Sequence, residues 1–144
     1  MLTVEESVTI DKPRPEVFDF FANPDNVAVY SSNLVDYEVV SGGPHDIGRS
    51  AKFAVKVVGV RLEYTDELVE LVENERAKLV SKEGRIPYSI TLTFADDGTG
   101  TTVTWLQEQE SLGGVFKLAD GLVLKMYSRD VRSNLDKAKA LLEA

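Results

Sequence analysis

From Tyr88 to Phe94 apolar and polar residues take strict turns, with Tyr88, Ile90, Leu92 and Phe94 set against Ser89, Thr91 and Thr93. A period of two puts one set on each face of a β-strand. The same alternation runs through 49–58, where Ala51, Phe53, Val55 and Val57 oppose Lys52 and Lys56. It also opens 60–72, where Val60, Leu62 and Tyr64 oppose Arg61, Glu63 and Thr65. Looser runs over 2–10, 34–40, 76–82 and 101–110 read as further strands. Gly59, Asn74-Glu75 and Asp97-Gly98 stand between neighbouring runs, so the strands from Leu34 onward are expected to form an antiparallel meander.

Two regions break this period. Pro13 and Pro15 stand at the entrance of a short helical segment, Glu16 to Ala22, where proline is tolerated in the first turn. Val17, Phe18, Phe20 and Phe21 give that segment a broad apolar face, Asn23-Pro24-Asp25 ends it, and a second short helix or turn carries Val27 to Tyr30. After Gly113-Gly114, apolar residues fall at Val115, Leu118, Ala119, Leu122, Met126, Val131, Leu135, Ala138 and Leu142. That spacing predicts a helix over 115–142, about 42 Å long at ~1.5 Å per residue and able to cross a whole sheet. Gly121 inside it is expected to mark a bend or a close approach.

The segment Ser7–Pro24 runs a strand into Pro13, starts a helix at Val17-Phe18 and reaches a second proline. With the order of the elements, Gly48, the run Gly98–Trp105 and the leucine-containing last helix, it resembles the START-like or Bet v 1-like (SRPBCC) superfamily. Within that superfamily the chain is most similar to the polyketide cyclase/dehydrase and lipid-transport group of small bacterial proteins. The resemblance spans residues 1–144 as one domain. It implies an α+β helix-grip fold: a curved antiparallel sheet of about seven strands around a long C-terminal helix, with two short helices after the first strand. Tyr30 stands where the family often carries tryptophan, at the expected pocket entrance.

Composition narrows the chemistry. The chain has 144 residues, no cysteine and one histidine, His45. Disulfides, thiol nucleophiles and cysteine-bound metals are excluded, and so are multi-histidine centres. No metal or cofactor is expected. The formal charge of −8 argues against nucleic-acid and anionic-membrane partners, which need a basic face. No stretch is apolar enough for a spanning helix, and MLTVEESVTI carries acid where a secretory signal needs a basic start. A cytoplasmic location is the expectation; oligomeric state is left open.

A curved sheet closed by one helix leaves a cavity, and ligand pockets are mostly apolar with a few polar groups. The residues expected to line it are Tyr64, Tyr88, Trp105 and Gln107, with Phe53 and Phe94 beside them on the sheet and Phe116, Leu122 and Met126 on the helix. Phe53, Phe94 and Leu122 also read as plain core. Gln109 and Tyr127 are further candidates. The Gln107–Glu110 stretch admits three arrangements: inward glutamines, inward Glu108 and Glu110 if a bulge intervenes, or an ordinary solvated strand end. His45 reads as a surface residue beside a turn. Asp66, Glu67, Glu70, Glu73 and Glu75 read as a solvated strand face, balanced by Arg49, Arg61 and Arg85.

The expected function is binding of a hydrophobic small molecule, such as a lipid, quinone or aromatic polyketide, between sheet and helix. Two alternatives are compatible: a polyketide cyclase/dehydratase-like enzyme working on a ligand in the same cavity, and a protein-interaction or chaperone co-activator role through the acidic surface. Scarcity of reactive side chains favours holding a ligand over cleaving one.

Overall fold

A computed structural model describes residues 2–31, 33–57, 59–84, 86–111 and 120–144. The alternating runs become β1 (Leu2–Ile10), β2 (Leu34–Ser41), β3 (Ser50–Val57), β4 (Val60–Val72), β5 (Arg76–Gly84), β6 (Tyr88–Asp97) and β7 (Gly100–Gln109). Helices α1 (Arg14–Ala22) and α2 (Val27–Tyr30) fall between β1 and β2, joined by a 3-10 turn, and α3 (Asp120–Glu143) follows β7. The strands make one antiparallel sheet in the order β1-β7-β6-β5-β4-β3-β2. The meander therefore runs from one edge toward the other, and β1 is added beyond its last strand. This is the helix-grip arrangement.

Local chemistry sets the joints. Pro15 sits in the first turn of α1, where its missing N–H costs nothing, and Glu16 places a carboxylate near the positive end of the helix. Asn23 ends α1 in an extended conformation, as a residue before proline must, and its Oδ1 accepts from the Asp25 N–H at 3.0 Å. Gly98, with φ +63°, takes the first position of the two-residue β6–β7 loop, where a type II′ turn requires glycine. Register shifts interrupt β2–β3 and β4–β5, whereas β6 and β7 pair without a break from Tyr88↔Gln109 to Asp97↔Gly100. Bulges bend strands, so the curvature is concentrated in the β2–β5 half of the sheet.

Helix α3 is tied to the β1 edge. Arg132 donates to the Ser7 carbonyl at 2.8 Å, Ser128 donates to Glu6 at 2.7 Å, and Lys139 donates to the Thr9 carbonyl. Val123, Val131, Leu135 and Ala138 form its buried face. The periodicity argument is corrected in one respect: Leu122 is 61% exposed, and Val123 is buried in its place. Counting back from Val131 in turns of 3.6 residues reaches Val123 and Tyr127, so the stripe drawn through Leu122 and Met126 was rotated by one residue. Among the described residues nothing lies within 4 Å of a Cβ built at Gly121, so they give no close approach there. Val115, Phe116, Leu118 and Ala119 lie outside the described residues.

The buried interior is divided. A large cluster joins β1, β6, β7, α1, α2 and α3 through Ile10, Phe18, Phe94, Val103, Trp105 and Leu135. A smaller one, Leu62, Tyr64 and Ile86 with Phe53, Val55 and Tyr88 packed on it, lies on the β3–β4 side. Helix α3 is clamped to the other edge, on β1. The space between the two clusters is the cavity.

Candidate functional site

The cavity offers about 150 Å³ to the centre of a water-sized sphere, is partly open to solvent, and is lined in part by α2 and the loop that carries Pro44. Its far wall is aromatic. Tyr37, Phe53 and Tyr64 are direct cross-strand partners on β2, β3 and β4, with ring centroids 6.2 and 5.7 Å apart. Such pairs on one face of a sheet stabilise each other beyond area burial. The next residue along this row is Gly84, and a Cβ built there would lie 2.2 Å from Tyr64 Cδ1. The absent side chain leaves the place that the Tyr64 ring occupies. Tyr88 then meets Tyr64 edge to face at 5.2 Å.

Asp66 stands among these rings. On β4 the residues Leu62, Tyr64, Asp66 and Leu68 share the inward face and all are buried, Asp66 being 7% exposed. This corrects the expectation of a solvated acidic strand: Asp66 and Arg49 are inside, while Glu73 and Glu75 are exposed. The Tyr88 hydroxyl donates to Asp66 Oδ2 at 3.4 Å. It reaches across β5, whose residue opposite Asp66 is the small Ser81, and Ser81 Oγ accepts from the Tyr88 backbone N–H at 2.9 Å. Burial pushes the Asp66 carboxyl up from 3.8 to about 6, partly offset by the charge of Arg49 and the Tyr88 hydrogen bond. The same desolvation, reinforced by Asp66, raises Tyr88 and lifts Tyr37 to about 12.

Arg49 does not pair with Asp66 within salt-bridge distance among the described residues. Its Nη1 donates instead to the carbonyls of Pro44 at 2.6 Å and Ala22 at 3.2 Å. It thereby ties the end of α1 to the loop before β3 on the cavity wall. His45, next to Pro44, is exposed, with its ring 6.1 Å from Phe18.

The near wall is polar in a different way. Trp105 Nε1 donates to Gln107 Oε1 at 3.3 Å, and Gln107 Nε2 donates to Gln109 Oε1 at 3.0 Å. Gln109 in turn hydrogen-bonds the Tyr127 hydroxyl of α3. Residues two apart on a strand lie on one face, and a glutamine is long enough to span that distance. The unbroken β7 register keeps both glutamines inward, 8% and 5% exposed, and settles the choice against a bulge and against a solvated end. Asp130 and Asn134 of α3 complete this wall, and burial raises the Asp130 carboxyl.

Of the residues expected at the cavity, Phe53, Tyr64, Tyr88, Trp105 and Gln107 are on its wall, as are Gln109 and Tyr127. Phe94 is not: it packs against Phe18 and Phe21 in the larger cluster. Leu122 points to solvent, Met126 is half-buried off the wall, and Phe116 lies outside the described residues. Tyr30 sits deep between Phe20, Phe21 and Trp105 and also reaches the wall. Sequence reasoning missed Asp66, Arg49, Tyr37, Asp130 and Asn134. For Asp66 the signal was present, since it continues the Leu62–Tyr64 alternation.

A curved antiparallel sheet holding one long helix, with an open hollow between them, defines the helix-grip class. The chain matches the profile of the family described as polyketide cyclase / dehydrase and lipid transport over residues 1–143, and it belongs to that family. No curated protein sequence matches it. Among solved structures it is similar to TTHA0849 from Thermus thermophilus, with a TM-score of 0.87 and 22% identity over 97% of this chain and 96% of that one. It is also similar to the Zhui aromatase/cyclase from Streptomyces sp. R1128, with a TM-score of 0.81 and 16% identity over 98% and 93% of the two chains. Ara h 8.0201 aligns with a TM-score of 0.73 at 13% identity over 97% and 96%. At these identities the likeness concerns the fold.

Proposed function

We propose that residues 1–144 work as one domain that binds a hydrophobic small molecule in the cavity between the sheet and α3. The observation that carries this reading is the division of the interior: two apolar clusters face each other across a hollow that the side chains of the described residues leave open. A chain of this size ordinarily closes such space, since voids larger than a water molecule are few in a packed domain. Family membership supports the same reading. Trp105 is the chain's single tryptophan and lies on the wall, so its emission reports occupancy directly. Titration with 2-methylnaphthalene is expected to change Trp105 fluorescence saturably, and native mass spectrometry of freshly purified protein to show a small molecule carried along. No saturable change and no carried molecule would overturn the proposal.

A second reading, chemistry on the bound ligand, is favoured by one observation. Asp66 is a buried carboxyl that burial pushes up to about 6 beside a tyrosine hydroxyl, which is an arrangement suited to a general acid or base. Under this reading Asp66 exchanges the proton while Tyr88 orients it. Loss of turnover in Tyr88→Phe with unchanged ligand affinity supports it, and equal loss of both counts against it.

A further inference from the structure

The charged groups of the cavity are unevenly provided for. Among the described residues of its wall stand one cation and two carboxyls: Arg49, Asp66 and Asp130. The one cation among these described residues, Arg49, donates to two backbone carbonyls, Ala22 and Pro44, and acts on Asp66 through its charge alone. Asp66 receives one side-chain hydrogen bond, from Tyr88, and at 3.4 Å it is a long one. Neither carboxylate has a salt-bridge partner among the described residues. A buried carboxylate left this way is costly, and the cost is recovered when something enters that can donate to it.

The surroundings say what that entrant must look like. Asp66 is flanked by Tyr64 on its own strand and by Tyr88, with Phe53 stacked on Tyr64. Flat apolar surface beside a lone carboxylate suits an aromatic frame with a donor at its end, and an ammonium head gains further from the ring faces. A carboxylate head would meet two like charges, Asp66 and Asp130, against one cation, Arg49, among the described residues of the wall. A quinone offers Asp66 nothing to accept.

We propose that the cavity selects aromatic molecules whose head group donates a hydrogen bond to Asp66, an ammonium or an acidic hydroxyl, and turns away carboxylate-headed ones. This rests on the cavity being a ligand site. It narrows that reading to one class: fatty acids and simple quinones fall outside it, aromatic amines and phenols inside.

The test compares one ring frame with four substituents, 2-naphthylmethylamine, 2-naphthol, 2-naphthoic acid and 2-methylnaphthalene, by isothermal titration calorimetry of the whole protein at neutral pH. The amine and the phenol are expected to bind at least about tenfold more tightly than the acid, the value of one charge-assisted hydrogen bond. In Asp66→Asn, which keeps shape and removes charge, that preference is expected to fall below about threefold. Equal binding of acid and amine by the natural protein would overturn the inference, as would an unchanged preference in the variant. If 2-methylnaphthalene binds and the head groups make no difference, the head-group inference alone fails. If none of the four binds, the cavity reading fails and takes the inference with it.

Discussion

Replacing Asp66 by asparagine is expected to stabilise the protein at neutral pH and to leave it little changed in acid. A carboxyl held at about 6 when folded and at its ordinary 3.8 when unfolded binds its proton more tightly in the folded state. Its contribution to stability is therefore most favourable in acid and is lost as pH rises from about 4 through about 6. The distance from 3.8 to about 6, at about 1.4 kcal/mol per pH unit, amounts to about 3 kcal/mol. Asparagine does not titrate, so the difference between variant and natural protein should grow by up to that amount between about pH 4 and pH 7.5. The groups that face Asp66 do not confuse the comparison. Tyr37 and Tyr88 are raised above their already alkaline values, and Asp130 is present in both proteins. Urea unfolding followed by Trp105 fluorescence at several pH values measures the difference. A gap that does not change with pH, or that shrinks as pH rises, would refute the reasoning.

Gly84→Ala places a Cβ against the Tyr64 ring and asks alanine to adopt φ +149°, so a loss of about 1–3 kcal/mol is expected in urea unfolding, with weakened binding of aromatic ligands. Arg49→Met frees the Ala22 and Pro44 carbonyls and removes the charge that lowers Asp66; expected are a cost of about 1–3 kcal/mol and a higher Asp66 midpoint, read by NMR titration. Leu135→Ala, at a position with 0% exposure, should cost about 2–5 kcal/mol, whereas Leu122→Ala should stay within about 0.5 kcal/mol. Comparable losses at both positions would put the helix phase in error.

Strand and helix positions were readable because a two-residue period and a helical period leave different marks on a sequence. The turn at Asp97-Gly98, the short helices after Pro13 and the pairing of β6 with β7 all follow from local chemistry. The site was less readable because its key residues depend on long-range closure. Whether Asp66 meets solvent is decided by Tyr88 leaning across Ser81, and nothing within β4 records that. Gln107 and Gln109 are inward only because β1 and β6 hold β7 in unbroken register on both sides. Leu122 misled for the opposite reason. Its spacing from Leu118 and Met126 was helical, but only tertiary contacts choose which stripe of a helix with several leucines turns inward.

The attachment of α3 to β1 also bears on how the molecule assembles. The bond from the Asp11 backbone N–H to Glu143 joins residues 132 positions apart, and the β1–β7 pairing links Leu2 to Gln109. Closing such long loops is what slows folding, because chain entropy is lost before the contacts form. The meander from β2 to β7 can form through neighbouring hairpins, but β1 and α3 must both arrive before the hollow has two walls. Assembly of the hairpins and completion of the hollow are then expected as separate kinetic events. A ligand would accelerate neither hairpin formation nor the search for β1. It would act on the last event, slowing the release of α3 and so lengthening the lifetime of the finished molecule.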